Sequence, residues 1–231
     1  MNFETWEPVY EAVLGDFGYD RRADGRARDA LYRQFRGRET FEPRELRMQG
    51  KRVAIAGAGP SLEDDLDAVR AADAVVAAST AADRLLEMGF TADAVVTDLD
   101  KHGGTVVSIS GTGVPVVVHA HGDNGGVVRE FVPRMDSGAI VGTTQARPRP
   151  PVWNFGGFTD GDRAAFLAAH LGAAELTFPG WDFDDPSVGP EKARKLRWAE
   201  RLLYWLECRR EERFAVLDGR REGIDTSPLP I

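Results

Sequence analysis

Carboxylates gather in three short runs: Thr97-Asp98-Leu99-Asp100, His119-Ala120-His121-Gly122-Asp123-Asn124 and Thr159-Asp160-Gly161-Asp162-Arg163. The first two directly follow apolar stretches, Ala94-Val95-Val96 and Val116-Val117-Val118, that read as buried strands; the third opens a helix-like segment. In an open parallel sheet the carboxyl ends of the strands line the crevice where ligands bind. Acids collected there repel one another unless a cation stands among them. Hard oxygen ligands favour Mg²⁺, which commonly accompanies a phosphate substrate. Asp98 and Asp100, two apart, point the same way if the backbone stays extended. Plainer readings stand beside these: solvated turn aspartates in the first run, a turn before a helix at Asp123-Asn124, and a helix cap at Thr159 or Asp160.

His119 and His121 are two of the four histidines. With Asp123 they would suit Zn²⁺. No third His or Cys ligand is evident, so Mg²⁺ with the histidines against phosphate suits the set better. Gly57-Ala58-Gly59-Pro60-Ser61 joins a strand to a helix, where backbone can approach an anion. It is neither a dinucleotide fingerprint, because Leu62 holds the last glycine position, nor a P-loop, which needs Gly-Lys-Ser/Thr. Ser61 with Asp64 also fits an ordinary helix cap. Thr144, Gln145 and Asn154 offer donors and acceptors to a heterocycle edge. Phe155 and Phe158 suit a stacked ring or a core position equally. Lys192 and Lys195 share a helix face and suit either a phosphate or solvent. They stand out because Lys51 and Lys101 are the only other lysines among 29 basic residues.

These residues need a scaffold, and 231 residues suffice for one sizeable α/β core. The formal net charge of -8 argues against a general nucleic-acid or anionic-membrane binder, which needs a basic surface. No apolar stretch approaches the length of a membrane span, no signal peptide is evident, and lone Cys208 has no disulfide partner. A cytoplasmic enzyme with small-molecule substrates is the expectation. The arginine-rich, acidic bias fits a salt-rich cytoplasm or a GC-rich genome.

Helical spacing of Trp6, Tyr10, Val13, Leu14 and Phe17, and of Ala27, Leu31 and Phe35, predicts two helices in an appendage over residues 1–47. An α/β domain follows over 48–215, then a tail, 216–231. Within the domain, strands over 52–56, 74–78, 94–97, 114–119, 139–142 and 175–178 alternate with helices, including an acidic helix ending near Arg70 and others over 81–88, 125–131 and 161–170. This alternation predicts a mainly parallel, Rossmann-like sheet with helices on both faces. No helix is predicted between Asp100 and Val114. Pro148, Pro150 and Pro151 make 146–152 a loop that could fold over the site. A long charged helix from Glu191 to about Phe214 closes the domain and is compatible with a homodimer.

Taken in order, the motifs resemble those of the archaeal 6-hydroxymethyl-7,8-dihydropterin diphosphokinases. The carriers are Gly57 to Leu62, Thr97 to Asp100, His119 to Asn124, Gly142-Thr143-Thr144-Gln145 and Asn154 to Arg163, with Gly180-Trp181-Asp182-Phe183 and the Lys192/Lys195 pair. The resemblance covers about residues 45 to 200. It implies a fold similar to thiamine pyrophosphokinase, and transfer of a diphosphoryl group from ATP to the reduced pterin with release of AMP. It implies Asp98, Asp100, Asp123 and His121 as the catalytic set. Asp98, Asp100 and Asp123, then Asp160 and Asp162, would be Mg²⁺ ligands, and one carboxylate, Asp123 for choice, would help deprotonate the hydroxymethyl group. His119, His121, Lys192 and Lys195 would complement the triphosphate, Gly57, Gly59, Pro60 and Ser61 would line the nucleotide or phosphate site, and Asn124 and Arg163 would be further cofactor-binding residues. Thr144, Gln145 and Asn154 would read the pterin. The rival readings are thiamine pyrophosphokinase and a non-catalytic nucleotide or nucleotide-sugar module. A nicotinamide enzyme is disfavoured because Ala78-Ser79-Thr80 puts no acid after the second strand.

Overall fold

The computed structural model describes residues 1–231. Seven strands, β1 (Arg52–Ala56), β2 (Ala74–Ala78), β3 (Ala94–Thr97), β4 (Val116–Ala120), β5 (Ile140–Thr144), β6 (Val152–Trp153) and β7 (Glu175–Thr177), make one sheet. Their order is β6-β5-β4-β3-β2-β1-β7, and every pairing is parallel. β2 to β5 are buried along their whole length, which is why they read as unbroken apolar runs. The chain steps outward from β1 to β6 and then crosses back to lay β7 on the far side of β1.

Eight helices flank the sheet: α1 (Phe3–Phe17), α2 (Arg21–Gln34), α3 (Leu66–Ala71), α4 (Ala81–Glu87), α5 (Gly103–Gly111), α6 (Gly125–Phe131), α7 (Asp160–His170) and α8 (Pro190–Arg210). Strand alternation divides the core. Val53, Ile55, Val76, Val96, Val117 and Val141 face α1, α7 and α8. Ala54, Ala56, Val75 and Val95 face α3 and α4, while Val116, Val118 and Ile140 face α2, α5 and α6. The two N-terminal helices thus pack on opposite faces, and α1 shares the largest core: Trp6 stacks on Trp205 of α8 at 6.4 Å between ring centroids. α8 spends Trp198, Leu202, Leu203 and Trp205 on that same core.

Several elements depart from the sequence reading. α5 was not anticipated: Gly103-Gly104-Thr105-Val106-Val107 has poor helix propensity, and the helix is held by packing. Gly103 lies so close to the Phe131 ring that a Cβ there would stand 2.6 Å from it. The expected acidic helix after β1 is a 3-10 turn, Pro60–Glu63, before the short α3. α8 stops at Arg210, where Glu211 turns left-handed (φ 52°). The proline-rich stretch ends in a short edge strand, β6, and does not fold over the site. Arg28 donates to the Arg147 carbonyl at 3.0 Å, and the Arg149 guanidinium lies 3.8 Å above the Tyr32 ring, so both arginines pin the loop to α2. The tail returns Ile224 and Leu229 to the main core.

Gly142 of β5 admits the Phe35 ring, and a Cβ there would overlap it. Gly142→Ala should therefore destabilise the fold by about 1–3 kcal/mol through overpacking, read as a lowered urea midpoint, and Phe35→Leu should restore part of the loss.

Candidate active site

β3 ends at Thr97 and the chain turns at once. Leu99 is left-handed (φ 67°) and buried, a conformation that strains a non-glycine residue. Its amide donates to Thr97 Oγ1 at 3.0 Å, and that of Asp100 to Asp98 Oδ1 at 3.1 Å. The turn draws the two acids together, with the Asp100 amide held on the Asp98 carboxylate. Extended alternation is therefore not what pairs them.

β4 delivers the next group. His121 Nε2 lies 3.0 Å from Asp98 Oδ2. Asn124 braces the two strand ends: its Nδ2 donates to the carbonyls of Asp98 at 3.0 Å and His119 at 2.8 Å, and its Oδ1 accepts from the His121 amide. His119, on the same face as Val117, is buried with Nδ1 3.0 Å from Thr143 Oγ1. Burial, with the Arg163 guanidinium close by, holds its pKa well below the ordinary value, so its ring stays neutral.

The start of α7 closes the group. Asp162 forms a capping box with Thr159, accepting from the Phe158 and Thr159 amides and from Thr159 Oγ1. Arg163, 5% exposed, donates to Asp160 at 2.9 Å and to Gln145 Oε1 at 3.4 Å. Gln145 Nε2 in turn donates to Asp24 Oδ2 at 3.0 Å. Asp24, on α2 and buried, also accepts from Tyr10 Oη and from the Gly122 amide, both at 2.5 Å. One carboxylate from the N-terminal region thus holds both the His121-Gly122 turn and Gln145.

Electrostatics follow from this crowding. Burial opposes ionisation of Asp98, but hydrogen bonds from His121 and Asp100 and the charge of Arg163 outweigh it and hold its pKa below the usual carboxylate range. Asp100 is raised by burial and by Asp98. Asp160 is pushed up to about 7, first by burial and then by the Asp98 charge, against the pull of Arg163. Opposite them stand cations. Lys192 is exposed as a residue, yet crowding of its ammonium by surrounding protein and the nearby Lys101 ammonium lower its pKa; Asp160 and Lys195 also act on it. Lys101, which acts on Asp100, and Lys192, which feels Asp160, thus stand beside the acids.

Not every expected residue joins. Asp123 is exposed with no hydrogen bond or ion pair, and Asp162 is used up as a cap. Lys195 pairs with Glu191 at 3.2 Å. Asn154 bridges the Ala146 carbonyl and the Gly156 amide, and Thr144 Oγ1 accepts from the Ala146 amide, so both work within the chain. Phe155 and Phe158 are core. The Gly57–Ser61 loop packs on the Gly180–Asp182 turn: a Cβ at Gly57 would stand 2.5 Å from the Gly180 carbonyl, and Ser61 amide and hydroxyl both donate to Asp182 at 2.9 Å. Its glycines answer to that close approach. The sequence reading does not single out Asp24 or Lys101, although Asp24 sits on the stripe of Ala27 and Leu31, where a lone carboxylate signals a buried role.

The donor set fits Mg²⁺. No three His, Cys, Asp or Glu side chains form a ready cage, but Mg²⁺ typically takes one or two carboxylates plus water and phosphate oxygens. The mutually repelling Asp98, Asp100 and Asp160 are the carboxylates that would hold it. No helix is long and apolar enough to cross a membrane.

A family model described as 6-hydroxymethylpterin diphosphokinase MptE-like matches residues 32–187. The 6-hydroxymethyl-7,8-dihydropterin pyrophosphokinase of Methanothermobacter thermautotrophicus is 38% identical over 224 residues, covering 90% of this chain and 96% of its own length. The protein of that name from Pyrococcus furiosus is 39% identical over 225 residues, covering 90% and 95%. That from Methanocaldococcus jannaschii is 31% identical over 241 residues, covering 93% and 99%.

Two outcomes follow from the geometry. Asp160, raised from 3.8 to about 7 on folding, contributes stability that is complete below the unfolded value and is lost as pH climbs through about 7. A cation relieves that loss, so Mg²⁺ should raise the unfolding temperature at about pH 8 far more than at about pH 5.5, where protons hold Asp160. Equal shifts in thermal scans with Mg²⁺ or EDTA would remove Asp160 from the metal site. Asp24→Ala strands Tyr10, Gln145 and the Gly122 amide, each at about 1–3 kcal/mol, whereas Tyr10→Phe removes one bond and its donor together; urea unfolding should rank Asp24→Ala well below Tyr10→Phe.

Proposed function

The chain belongs to the 6-hydroxymethylpterin diphosphokinase MptE-like family, and we propose that it transfers a diphosphoryl group from ATP to 6-hydroxymethyl-7,8-dihydropterin, giving the pterin diphosphate and AMP. The observation that carries this reading is the group Asp98, Asp100 and Asp160, at the end of β3 and the start of α7, with Lys101 acting on Asp100 and Lys192 on Asp160. Acids for a cation lie against cations for phosphates, which is the charge pattern a metal-bound triphosphate requires.

In the proposed reaction the hydroxymethyl oxygen forms a bond to the β-phosphorus, the bond from that phosphorus to the oxygen bridging to the α-phosphate breaks, and AMP leaves. Catalysis of this kind rests on positioning and charge neutralisation. Asp98 and Asp100, with Asp160 beside them, would hold Mg²⁺; the chemistry a bound Mg²⁺ supplies is to offset charge on the phosphate oxygens as the leaving group departs. Lys192 and Lys101 bind the triphosphate, with Lys195 on the same helix face. His121, hydrogen-bonded to Asp98, orients that carboxylate. Arg163 keeps Asp160 in place and screens its charge. Asp123 has no partner in the chain and stands next to the His121-Gly122 turn; it takes the proton released by the hydroxymethyl group. The active protein is cytoplasmic in this reading, and its acidic surface keeps it dispersed there.

The test is AMP release from purified protein with ATP, Mg²⁺ and the reduced hydroxymethylpterin, with thiamine in a parallel tube. AMP without ADP, only with the pterin, is the expected result; AMP only with thiamine, or none in either, overturns the assignment. Asp98→Asn should cut turnover by about 10²-fold or more and weaken the response to Mg²⁺. Asp123→Asn should lower turnover by about 10²-fold with little change in KM. Turnover near the parent rate in both variants would refute the site.

A further inference from the structure

Two polar atoms in this region have no partner in the protein: His119 Nε2 and Arg163 Nε. Both side chains are at least nine-tenths buried, at 2% and 5% exposure. Together they line one cavity of about 10 Å³ whose remaining wall includes the apolar Val96, Val117 and Leu167. Interiors seldom leave such atoms unpaired, because each then loses its bond to water without replacement.

The hydrogen bonds assign what each atom offers. Thr143 Oγ1 donates its single proton to the Val118 carbonyl at 3.2 Å. In that arrangement it accepts from His119 Nδ1, 3.0 Å away, which puts the imidazole proton on Nδ1 and leaves Nε2 a lone pair; a Thr143 hydroxyl turned toward Nδ1 would reverse the tautomer. Arg163 Nε can only donate; its terminal nitrogens are committed to Asp160 and Gln145. Thr144 also lines the cavity, and its hydroxyl, which accepts from the Ala146 amide, keeps its own proton to give. One acceptor faces fixed donors across a space of one oxygen atom.

We propose that this cavity is a seat for a single hydroxyl oxygen, filled by a buried water that donates to His119 Nε2 and accepts from Arg163 Nε. A cavity of this size holds one water and no more, and two to four polar partners are what a buried water needs. Seated there, the water completes the bonding of Arg163 and so fixes the guanidinium that holds Asp160 and Gln145. Nothing in this rests on the reaction proposed above.

Two measurements on the intact protein test it. A crystal structure at atomic resolution should show one ordered water within hydrogen-bonding distance of both nitrogens. Nitrogen-15 spectra of histidine-labelled protein should show His119 protonated at Nδ1 only. Thr143→Val, which removes the acceptor that sets the tautomer, should shift His119 toward the Nε2-protonated form while the protein stays folded. A side chain filling the cavity, or an Nε2-protonated ring in the parent protein, overturns the proposal. Addition of the reduced hydroxymethylpterin alone separates the two sources of a hydroxyl. An unchanged Nε2 signal leaves water in place, and a signal that moves at saturation means an alcohol takes the seat and overturns the assignment to water. An ordered water in a protein that releases no AMP would keep the seat and refute the reaction instead.

Discussion

Arg163 is the charge on which the arrangement of acids depends. Asp98, Asp100 and Asp160 come from two different parts of the chain and meet where Asp98 and Asp160 are half-buried and Asp100 is exposed, so that each charge raises the cost of the next. The guanidinium, almost fully buried, is bonded to Asp160 and lies close enough to Asp98 to help keep it ionised. Truncating it would leave the acids to neutralise themselves by taking up protons, and a buried pair broken from one side is costly. Its own position is set by the helix it sits on: the capping box at Thr159 and Asp162 fixes where α7 begins, and therefore where residue 163 falls.

The sheet order explains why these residues are neighbours. α7 leaves the β6 edge and crosses the sheet to reach β7, passing over β3, so its first turn lands on the Asp98 turn. The same reversal puts the topological switch point between β1 and β7, where a ligand crevice is usually sought. Here that point is filled by Gly57 against Gly180, each glycine the space for the other's backbone. The acid group stands two strands away, assembled by the long crossover. Asp24 carries the other side of the arrangement, tying α2 to the turn after β4.

Much of this was legible in order but not in contact. The apolar runs before Asp98 and His119 identified β3 and β4 because strands buried on both faces show no alternation. Their ends, and hence Asp98 and His121, could be placed near a crevice from the pattern alone. What pairs Asp98 with Asp100 could not, since a left-handed Leu99 has no local signature. Asp162 and Asp160 look alike in sequence; only the capping geometry separates a carboxylate spent on amides from one left facing other acids. Gly57 and Gly59 carry the same ambiguity, because a glycine needed for close approach does not say whether ligand or protein approaches. α5 was lost for the opposite reason, its glycines and β-branched residues being overruled by a tertiary contact with Phe131.

The stacking of Trp6 on Trp205 bears on how the chain is made as well as on how it rests. Trp6, Val9, Tyr10 and Val13 form one stripe of α1, and the aromatic surface that covers it comes from α7 and α8. A ribosome adding about 5–20 residues each second releases α1 tens of seconds before α8 emerges. During that interval the stripe lacks its cover from α8, and the nascent chain presents an incompletely covered amphipathic helix that chaperones or other chains can occupy. Ribosome pausing before α8, or loss of the C-terminal helix through a premature stop, would prolong that exposure.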